Sequence, residues 1–415
     1  MHALRRKSIV LPVLAAALAA GAGFAATATA AAKASASPAT VSSPWSQTDF
    51  NSARSRANLS ERTLTRATLP QVRYLRSVVT PLDNQFDGIC TFNAMVDPLL
   101  TGGSLYAVAN GRVTKYNPAT GQVIWRRRAS AGGVGPSLNF RGLSVADGLV
   151  VVGETYCGSV SDPNGFVSAY NASTGALVWS KPITPIGGPL NQMVVSGAYV
   201  AAAGDSAGGG DVVSVRRLSN GAAVWHRFPA CGSGDVAVMA GLVISARCNS
   251  GNPALVASHI ATGTQAWSLP GTWTVQRGDH GSGTGHLFAT NPSGAVVGLN
   301  PATGQTLYTL AGATNVIAVD GARAYGDCGT GVCAYSTATG AQVWTQPGAS
   351  TSVIAAEAGG VLYLGQDQGF ALNTGTGKII ETVWNGSASG LAIGDGRIAV
   401  VTDERVIDLF GLHGF

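Results

Sequence analysis

Charged side chains are scarce in this chain. Asp, Glu, Lys and Arg make up 11% of its 415 residues, whereas hydrophobic residues make up 46%. Long amphipathic helical patterns are missing, and beyond the N-terminal segment no apolar stretch is long enough to span a bilayer. These absences exclude a helical bundle and a multi-span helical membrane protein. The 56 glycines favour many short strands joined by tight turns.

A marked excess of one charge sign is also missing from most of the chain. The formal charge of +5 arises within the first 80 residues, which hold ten Lys or Arg and two Asp or Glu; the other residues hold sixteen and nineteen. A nucleic-acid-binding protein concentrates basic residues on its folded surface. We therefore expect no nucleic-acid partner.

The N-terminus has the three parts of an export signal. Arg5, Arg6 and Lys7 precede an apolar stretch over 9–24, and Ala28-Thr29-Ala30 has the small-x-small form of a signal-peptidase site. We predict a signal peptide over 1–30 and a secreted, soluble, monomeric product, since no cysteine follows to carry a lipid. The two arginines leave both the general and the twin-arginine export routes open.

A hairpin turn followed by a bulky aromatic residue recurs seven times, at intervals of 36 to 54 residues, which matches a four-stranded propeller blade. In most copies Thr-Gly or Asn-Gly places glycine where the chain reverses. We predict that the aromatic residues pack between neighbouring blades. The copies are YNPATGQVIW at 116, YNASTGALVW at 170, RLSNGAAVW at 217, HIATGTQAW at 259, LNPATGQTLY at 299, YSTATGAQVW at 335 and LNTGTGKIIETVW at 372.

A second turn series precedes the first and has eight members, from Gly103 to Gly396. If the strands of a blade are lettered A to D from the centre outward, the last unit lacks strand D. An open edge there would invite aggregation, and residues 71–79, QVRYLRSVV, can fill it. We predict an all-β, single β-propeller over 61–415 with eight blades, closed by this N-terminal strand. Seven blades are the alternative.

Residues 31–60 are rich in Ala, Ser and Thr and have few apolar anchors. This composition is typical of a flexible arm. We therefore expect that truncation to about Ser60 is tolerated, whereas truncation to Gly88 destabilises the fold.

Six cysteines in an exported chain indicate three disulfides, and the absence of a C-x-x-C pair argues against zinc and thioredoxin-like sites. In an antiparallel blade the B–C and D–A connections share one face, and all six cysteines fall in such connections. Sequence proximity then favours three of the fifteen possible bonds. These are Cys90–Cys157, Cys231–Cys248 and Cys328–Cys333.

The same face carries loops that vary in length and sequence, whereas the opposite face has short repeated turns. Variable loops are suited to recognition. We therefore predict that a partner binds this face near the central channel. The candidate contacts are polar or aromatic residues of these loops: Tyr156, Asp205, Arg247, Asn249 and Asp327.

Three shorter motifs are better explained by structure than by chemistry. Residues 204–208 match G-x-S-x-G, but a strand follows them rather than the helix that a nucleophile elbow needs. Arg277-Gly278-Asp279 spells an integrin-type tripeptide within a loop, and Arg126, Arg127 and Arg128 continue an outer strand as solvated edge charge. The six histidines have no metal-like spacing, so we predict neither catalytic residues nor a metal site.

The aromatic hairpins resemble the repeat of the pyrroloquinoline-quinone-like β-propeller superfamily, in which D-x-x-T-G-K leads to a strand bearing Trp. Five of seven copies keep Thr-Gly with Trp or Tyr four residues on; Asn117, Asn171, Asn300 and Asn373 replace the Asp, and only Lys378 keeps the Lys. The resemblance covers roughly residues 90 to 415. It implies a propeller but spans quinone-dependent alcohol dehydrogenases, a scaffold lipoprotein of outer-membrane barrel assembly and other secreted propellers.

In the dehydrogenases two adjacent cysteines form a ring against the quinone, and Glu, Asn and Asp ligands hold calcium beside a catalytic Asp. No cysteines are adjacent here. The scaffold branch therefore fits better, and we predict a secreted, non-enzymatic binding or scaffolding propeller without a cofactor. Its partner would be an extracytoplasmic protein, peptide or glycan. The alternative is a divergent quinoprotein oxidoreductase that uses pyrroloquinoline quinone and calcium.

Overall fold

The computed structural model describes residues 43–80, 95–131, 135–157, 163–183, 188–205, 211–227, 235–247, 252–279, 285–349, 354–365, 367–403 and 405–413. The predicted signal peptide over 1–30 lies outside these residues. Two strands precede the blades: β1 (Ala57–Asn58) and, after a 3₁₀ turn at Leu69–Gln71, β2 (Arg73–Val79). None of the helices in the described parts has the length and apolar character needed to cross a membrane.

The remaining strands form blades in chain order. Blade 1 comprises β3 (Leu99–Thr101), β4 (Ser104–Ala109), β5 (Arg112–Tyr116) and β6 (Val123–Arg128). After the short β7 (Ser130–Ala131), blade 2 comprises β8 (Gly135–Ala146), β9 (Leu149–Cys157), β10 (Pro163–Asn171) and β11 (Leu177–Pro182). Blade 3 comprises β12 (Leu190–Ser196), β13 (Tyr199–Asp205), β14 (Asp211–Arg217) and β15 (Ala223–Arg227).

The next three blades repeat this order. Blade 4 comprises β16 (Val236–Met239), β17 (Leu242–Arg247), β18 (Ala254–His259) and β19 (Gln265–Pro270). Blade 5 comprises β20 (Thr274–Gly278), β21 (Leu287–Thr290), β22 (Val296–Leu299) and β23 (Thr306–Thr309). Blade 6 comprises β24 (Asn315–Val319), β25 (Arg323–Asp327), β26 (Gly331–Ser336) and β27 (Gln342–Pro347).

The last two blades complete the ring. Blade 7 comprises β28 (Ile354–Ala358), β29 (Val361–Gly365), β30 (Gln368–Asn373) and β31 (Ile379–Asn385). Blade 8 takes β32 (Gly390–Gly394), β33 (Arg397–Asp403) and β34 (Val406–Gly411) from the C-terminus. Its outer strand is β2, which pairs antiparallel with β34. The predicted eight blades and N-terminal closure are confirmed, and the seven-bladed alternative is wrong.

The phased aromatic residues join each of blades 1 to 6 to the next blade, as predicted. Trp125 of blade 1 donates its indole N–H to the carbonyl of Ala172 in the C–D turn of blade 2, at 3.1 Å. Its ring also lies 2.7 Å from where a Cβ on Gly175 would stand, so that turn needs glycine for close approach as well as for its φ of 71°. The indole N–H groups of four further tryptophans donate in the same way, Trp179 to Leu218, Trp225 to Ile260, Trp267 to Pro301 and Trp344 to Thr374. In blade 5 the hydroxyl of Tyr308 donates to the carbonyl of Thr337.

We call the face with the A–B and C–D turns the turn face, and the face with the B–C and D–A connections the loop face. Residues 43–58, the inner belt, run around the turn-face end of the ring. The belt bonds the innermost strand of every blade at its last or next-to-last residue. The bonds, in blade order, are Trp45 N to Leu100 O, Val145 N to Ser46 O, Val195 N to Gln47 Oε1, Val238 N to Ser52 O, Gly278 N to Ala53 O, Val319 N to Ser55 O, Glu357 N to Arg56 O and Asn58 Nδ2 to Ile393 O.

The inner belt corrects the prediction of a flexible arm over 31–60, of which residues 31–42 lie outside the described part. From Ser43 onward the segment is packed, with Trp45 fully buried and Asn58 equally inaccessible. The composition misled because this segment is anchored mainly by hydrogen bonds to strand backbone, which need no apolar pattern. Its backbone is also strained: Asp49, Phe50, Arg54 and Arg56 have φ between 50° and 79°. Such conformations persist where the surrounding structure fixes them.

Candidate functional site

Six charged side chains from the inner belt and from blades 1, 4 and 5 meet inside the ring. Arg56 reaches Asp49 and Asp97, both at 2.8 Å, and Arg54 reaches Asp49 at 3.2 Å. Two further contacts bring in blades 4 and 5: Arg54 to Asp235 at 3.1 Å and Arg277 to Asp49 at 3.0 Å. This channel cluster thus contains three arginines and three aspartates, and its formal charges cancel.

Asp49, Arg56 and Arg277 stay ionised despite their burial. Burial alone would raise the pKa of Asp49, but Arg277, Arg56 and Arg54 outweigh it and hold that pKa well below its usual range. Burial would lower the pKa of Arg56, but Asp97 and Asp49 outweigh it and raise that pKa. Burial lowers the pKa of Arg277 to about 10, with Asp49 opposing the shift, so its guanidinium stays charged at neutral pH.

Calcium does not fit the described residues of the channel. Calcium takes six to eight oxygen ligands, carboxylates among them. The carboxylates that converge here, Asp49, Asp97 and Asp235, each pair with an arginine, and a calcium ion would have to displace those cations. Within the described ranges, no three His, Cys, Asp or Glu side chains are grouped as metal ligands.

The predicted partner contacts lie at the ends of B strands. Asp205, Arg247 and Asp327 are the last residues of β13, β17 and β25, and Tyr156 is the next-to-last residue of β9. All four positions are therefore on the loop face, but they are spread over blades 2, 3, 4 and 6. Asp327 accepts a hydrogen bond from the backbone N–H of Gly329 at 2.6 Å. Asn249 lies outside the described residues, and the assignment of these five to a partner stays a prediction.

One predicted disulfide is confirmed: Cys328 and Cys333 are bonded across the β25–β26 hairpin of blade 6. Cys90, Cys231 and Cys248 lie outside the described residues. Cys157 ends β9, but its side chain is not described. The pairs Cys90–Cys157 and Cys231–Cys248 therefore stay predictions.

The integrin-type tripeptide is part of the interior. Arg277 contacts Asp49, and its guanidinium also donates to the carbonyl of Arg54 at 3.0 Å. Asp279 is 3% exposed and accepts hydrogen bonds from the backbone and ring of His286. The G-x-S-x-G match begins at the end of β13, and the next element is the strand β14, as expected for a blade.

A pocket of about 220 Å³ lies on the turn face between the inner belt and blades 5 and 6. Asp279 and Asp320 line it together with Ser55 and Phe50. Both carboxylates already accept protein hydrogen bonds, Asp279 from His286 and Asp320 from the backbone of Ala322 and Arg323. The pocket therefore has a structural explanation.

Sequence reasoning missed the arginines of the inner belt. Arg54 and Arg56 are among the few charged residues of a segment that otherwise consists of small and polar residues. The sequence offered one signal: Asp49, Arg54 and Arg56 lie close together in the chain, near Trp45, the only tryptophan of that segment. Their partners Asp97, Asp235 and Arg277 are far away in the chain, so only the closed ring reveals the cluster.

A buried carboxyl beside the inner belt makes stability depend on pH. Glu357 is 3% exposed; its Oε1 accepts the N–H of Gly360 at 2.9 Å, and its buried Oε2 has no hydrogen-bond partner. Burial, with repulsion from Asp320, raises its pKa to about 8, although the Gly360 N–H, Arg62 and Arg323 oppose the shift. In the unfolded chain the pKa is near 4.5.

We predict that Glu357 makes the protein less stable as pH rises from about 4.5 to 8. Between these values the folded state holds a proton that the unfolded state releases, so this stabilisation is complete below 4.5 and decreases by about 1.4 kcal/mol per pH unit until the folded carboxyl ionises. Urea unfolding of the protein and of Glu357→Gln at pH 5 and pH 8 measures the effect. The variant should show the shallower pH dependence, and equal dependences would contradict the assignment.

Comparisons with known proteins agree with this architecture. The sequence profile of the family described as outer membrane protein assembly factor BamB matches residues 45–232 and 251–381. The comparison with curated protein sequences found no match.

Solved structures with a similar fold include two dehydrogenases and BamB. The quinohemoprotein alcohol dehydrogenase from Comamonas testosteroni aligns with a TM-score of 0.64 and 13% identity over 91% of this chain and 82% of its own. BamB from Moraxella catarrhalis aligns with a TM-score of 0.58 and 18% identity over 82% of this chain and 100% of its own. A europium-containing methanol dehydrogenase aligns with a TM-score of 0.63 and 12% identity over 89% of this chain and 98% of its own. At these identities the likeness establishes the fold alone.

The profile match covers more than half of the chain and includes most of the inner belt, the whole of blades 1, 2, 3, 5 and 6, and parts of blades 4 and 7. The chain belongs to the family described as outer membrane protein assembly factor BamB.

Proposed function

We propose that this chain is an exported, non-enzymatic binding or scaffolding propeller that holds an extracytoplasmic protein, peptide or glycan at its loop face. The observation that carries the proposal is the channel cluster. An enzyme of the quinone type needs free carboxylates for calcium, whereas Asp49, Asp97 and Asp235 each pair with an arginine. These ion pairs instead hold the inner belt against the blades.

The positions of the candidate contacts support the loop face as the binding surface. The turn face is occupied at its centre by the inner belt and elsewhere by short repeated turns. The loop face carries the longer connections, and the Cys328–Cys333 bond holds one of them next to Asp327. A loop fixed before binding loses less conformational entropy in the complex. BamB itself is described as an outer membrane protein assembly factor, which supports a protein or peptide as the partner class.

The test combines capture of a partner with substitution of the loop face. The mature protein is immobilised, and a partner captured from extracytoplasmic extract is identified and purified. The combined variant Tyr156→Phe, Asp205→Asn, Arg247→Ala, Asn249→Ala and Asp327→Asn should weaken its binding at least tenfold with the melting temperature unchanged. The matched control is Thr120→Ala with Thr303→Ala and Thr339→Ala, which alters turns on the opposite face.

Two results would overturn the proposal. One is equal loss of binding in the turn-face control. The other is a saturable, calcium-dependent absorbance change when pyrroloquinoline quinone is added to the purified protein at micromolar concentration, because this would establish the quinoprotein alternative.

A further inference from the structure

The outer strands of the eight blades differ sharply in charge. The outer strands of four adjacent blades carry Lys or Arg and no acidic residue. There are two such residues on β2 of blade 8, three on β6 of blade 1, one on β11 of blade 2 and one on β15 of blade 3. The outer strands of blades 4 to 7 carry no Lys or Arg, and Glu381 is their only charged residue. One half of the rim is therefore basic although the propeller as a whole is nearly neutral.

The basic half is centred on β6 of blade 1, with the sequence Val123-Ile124-Trp125-Arg126-Arg127-Arg128. This strand ends its sheet, so one side of its backbone faces no neighbouring strand of the blade. Val123 and Ile124 are 44% and 51% exposed. Among the described residues, none of the three arginines has a carboxylate partner; Arg127 donates instead to the carbonyls of Arg126 and Thr174.

Strand geometry divides these side chains between two faces. Trp125 and Arg127 contact the turn of blade 2, at Ala172 and Thr174. Ile124, Arg126 and Arg128 alternate with them and therefore face blade 8. A strand laid along β6 would meet apolar side chains at one end and arginines on both faces at the other.

Three features identify the occupant. The free backbone groups need a peptide partner, since neither lipid tails nor a glycan backbone supply a strand's donors and acceptors. The arginines need carboxylates, which guanidinium groups bind in bidentate pairs. A second copy of this chain that pairs through the same strand supplies none, because in an antiparallel pair of β6 strands the arginines of one copy lie opposite Val123, Ile124 and Trp125 of the other.

We propose that the outer strand of blade 1 is a docking edge for an acidic β-strand of a partner protein, with carboxylates opposite Arg126, Arg127 and Arg128 and apolar residues opposite Val123 and Ile124. This edge lies on the rim and is separate from the loop face, so it does not depend on the function proposed above. The arginines also give the edge selectivity, because they disfavour strands without compensating charge.

The probe is a synthetic fluorescent peptide of alternating glutamate and valine, added to the mature protein and followed by anisotropy. We expect saturable binding that weakens with salt. The variant Arg126→Gln, Arg127→Gln and Arg128→Gln should weaken it at least tenfold. The control Arg62→Gln, Arg66→Gln and Lys378→Gln removes the same charge from other exposed positions and should change affinity less than twofold.

Two further arms separate strand pairing from simple charge attraction. The same peptide with alternate backbone nitrogens methylated cannot form a ladder and should not bind. Exchange of the three arginines for glutamates should transfer binding to a lysine–valine peptide, which also shows that the variant is folded. Equal binding of the methylated peptide, or preferential binding of the protein to phosphatidylglycerol vesicles, would overturn the proposal. The loop-face variant should bind the peptide normally.

Discussion

Replacement of Arg56 by alanine will lower the free energy of unfolding by about 3–5 kcal/mol. The side chain is 7% exposed and contacts Asp49 and Asp97, both at 2.8 Å. Its removal leaves two buried carboxylates short of a counter-charge, and the cost of that exceeds what a surface pair contributes. It also frees the carbonyl of Ala355, which accepts a hydrogen bond from Nε.

Chemical denaturation of the Arg56→Ala variant measures this loss, with Arg62→Ala as the control. Arg62 is exposed and bonds only neighbouring backbone carbonyls, so its removal should change stability by no more than about 0.5 kcal/mol. Adding Asp97→Asn to Arg56→Ala should recover part of the loss, because it removes one stranded charge. If Arg56→Ala and Arg62→Ala unfold at the same denaturant concentration, the channel cluster does not stabilise the ring.

A chain that begins at residue 61 will be severely destabilised relative to one that begins at residue 31. It lacks Trp45, whose burial is complete and whose loss alone costs about 3–5 kcal/mol. It also leaves the inner ends of all eight blades without the hydrogen bonds of the inner belt. Total stabilities of native proteins are only about 5–15 kcal/mol, so we expect little or no cooperative unfolding transition.

Calorimetry of chains beginning at residues 31, 61 and 80 checks this expectation. The shortest chain additionally lacks β2, exposes the edge of β34 and should aggregate. This prediction replaces the tolerance of truncation to Ser60 that composition alone suggested. A melting temperature within 2 °C of the parent for the chain beginning at residue 61 would mean that the inner belt is dispensable.

The repeat could be predicted because its signals are local. Each turn is specified by residues within ten positions, as in Asn171, whose side chain accepts the N–H groups of Ser173 and Thr174. The closing strand was also predictable, since the last unit lacks an outer strand and 71–79 has β character. The structure begins that strand at Arg73, because Gln71 belongs to a 3₁₀ turn.

The interior of the channel was not predictable for the opposite reason. Asn58 bonds the carbonyl of Ile393, and Arg54 bonds Asp235, across 335 and 181 residues of sequence. No periodicity relates such residues, and polar side chains that bond strand backbone have the composition of a loose segment. Four of the five predicted loop-face contacts lie at the loop-face ends of their strands. Their spread over several blades shows that variable loop length alone does not identify a compact site.

The inner belt also governs when this protein can finish folding. Its residues leave the ribosome before any blade, yet its bonds to blades 7 and 8 involve Glu357 and Ile393 near the other end of the chain. Contacts of such sequence separation slow folding, because the loop-closure entropy is lost before they form. The bonds of the inner belt to blades 7 and 8 cannot form until those blades are made, and the chain must stay unaggregated over that interval.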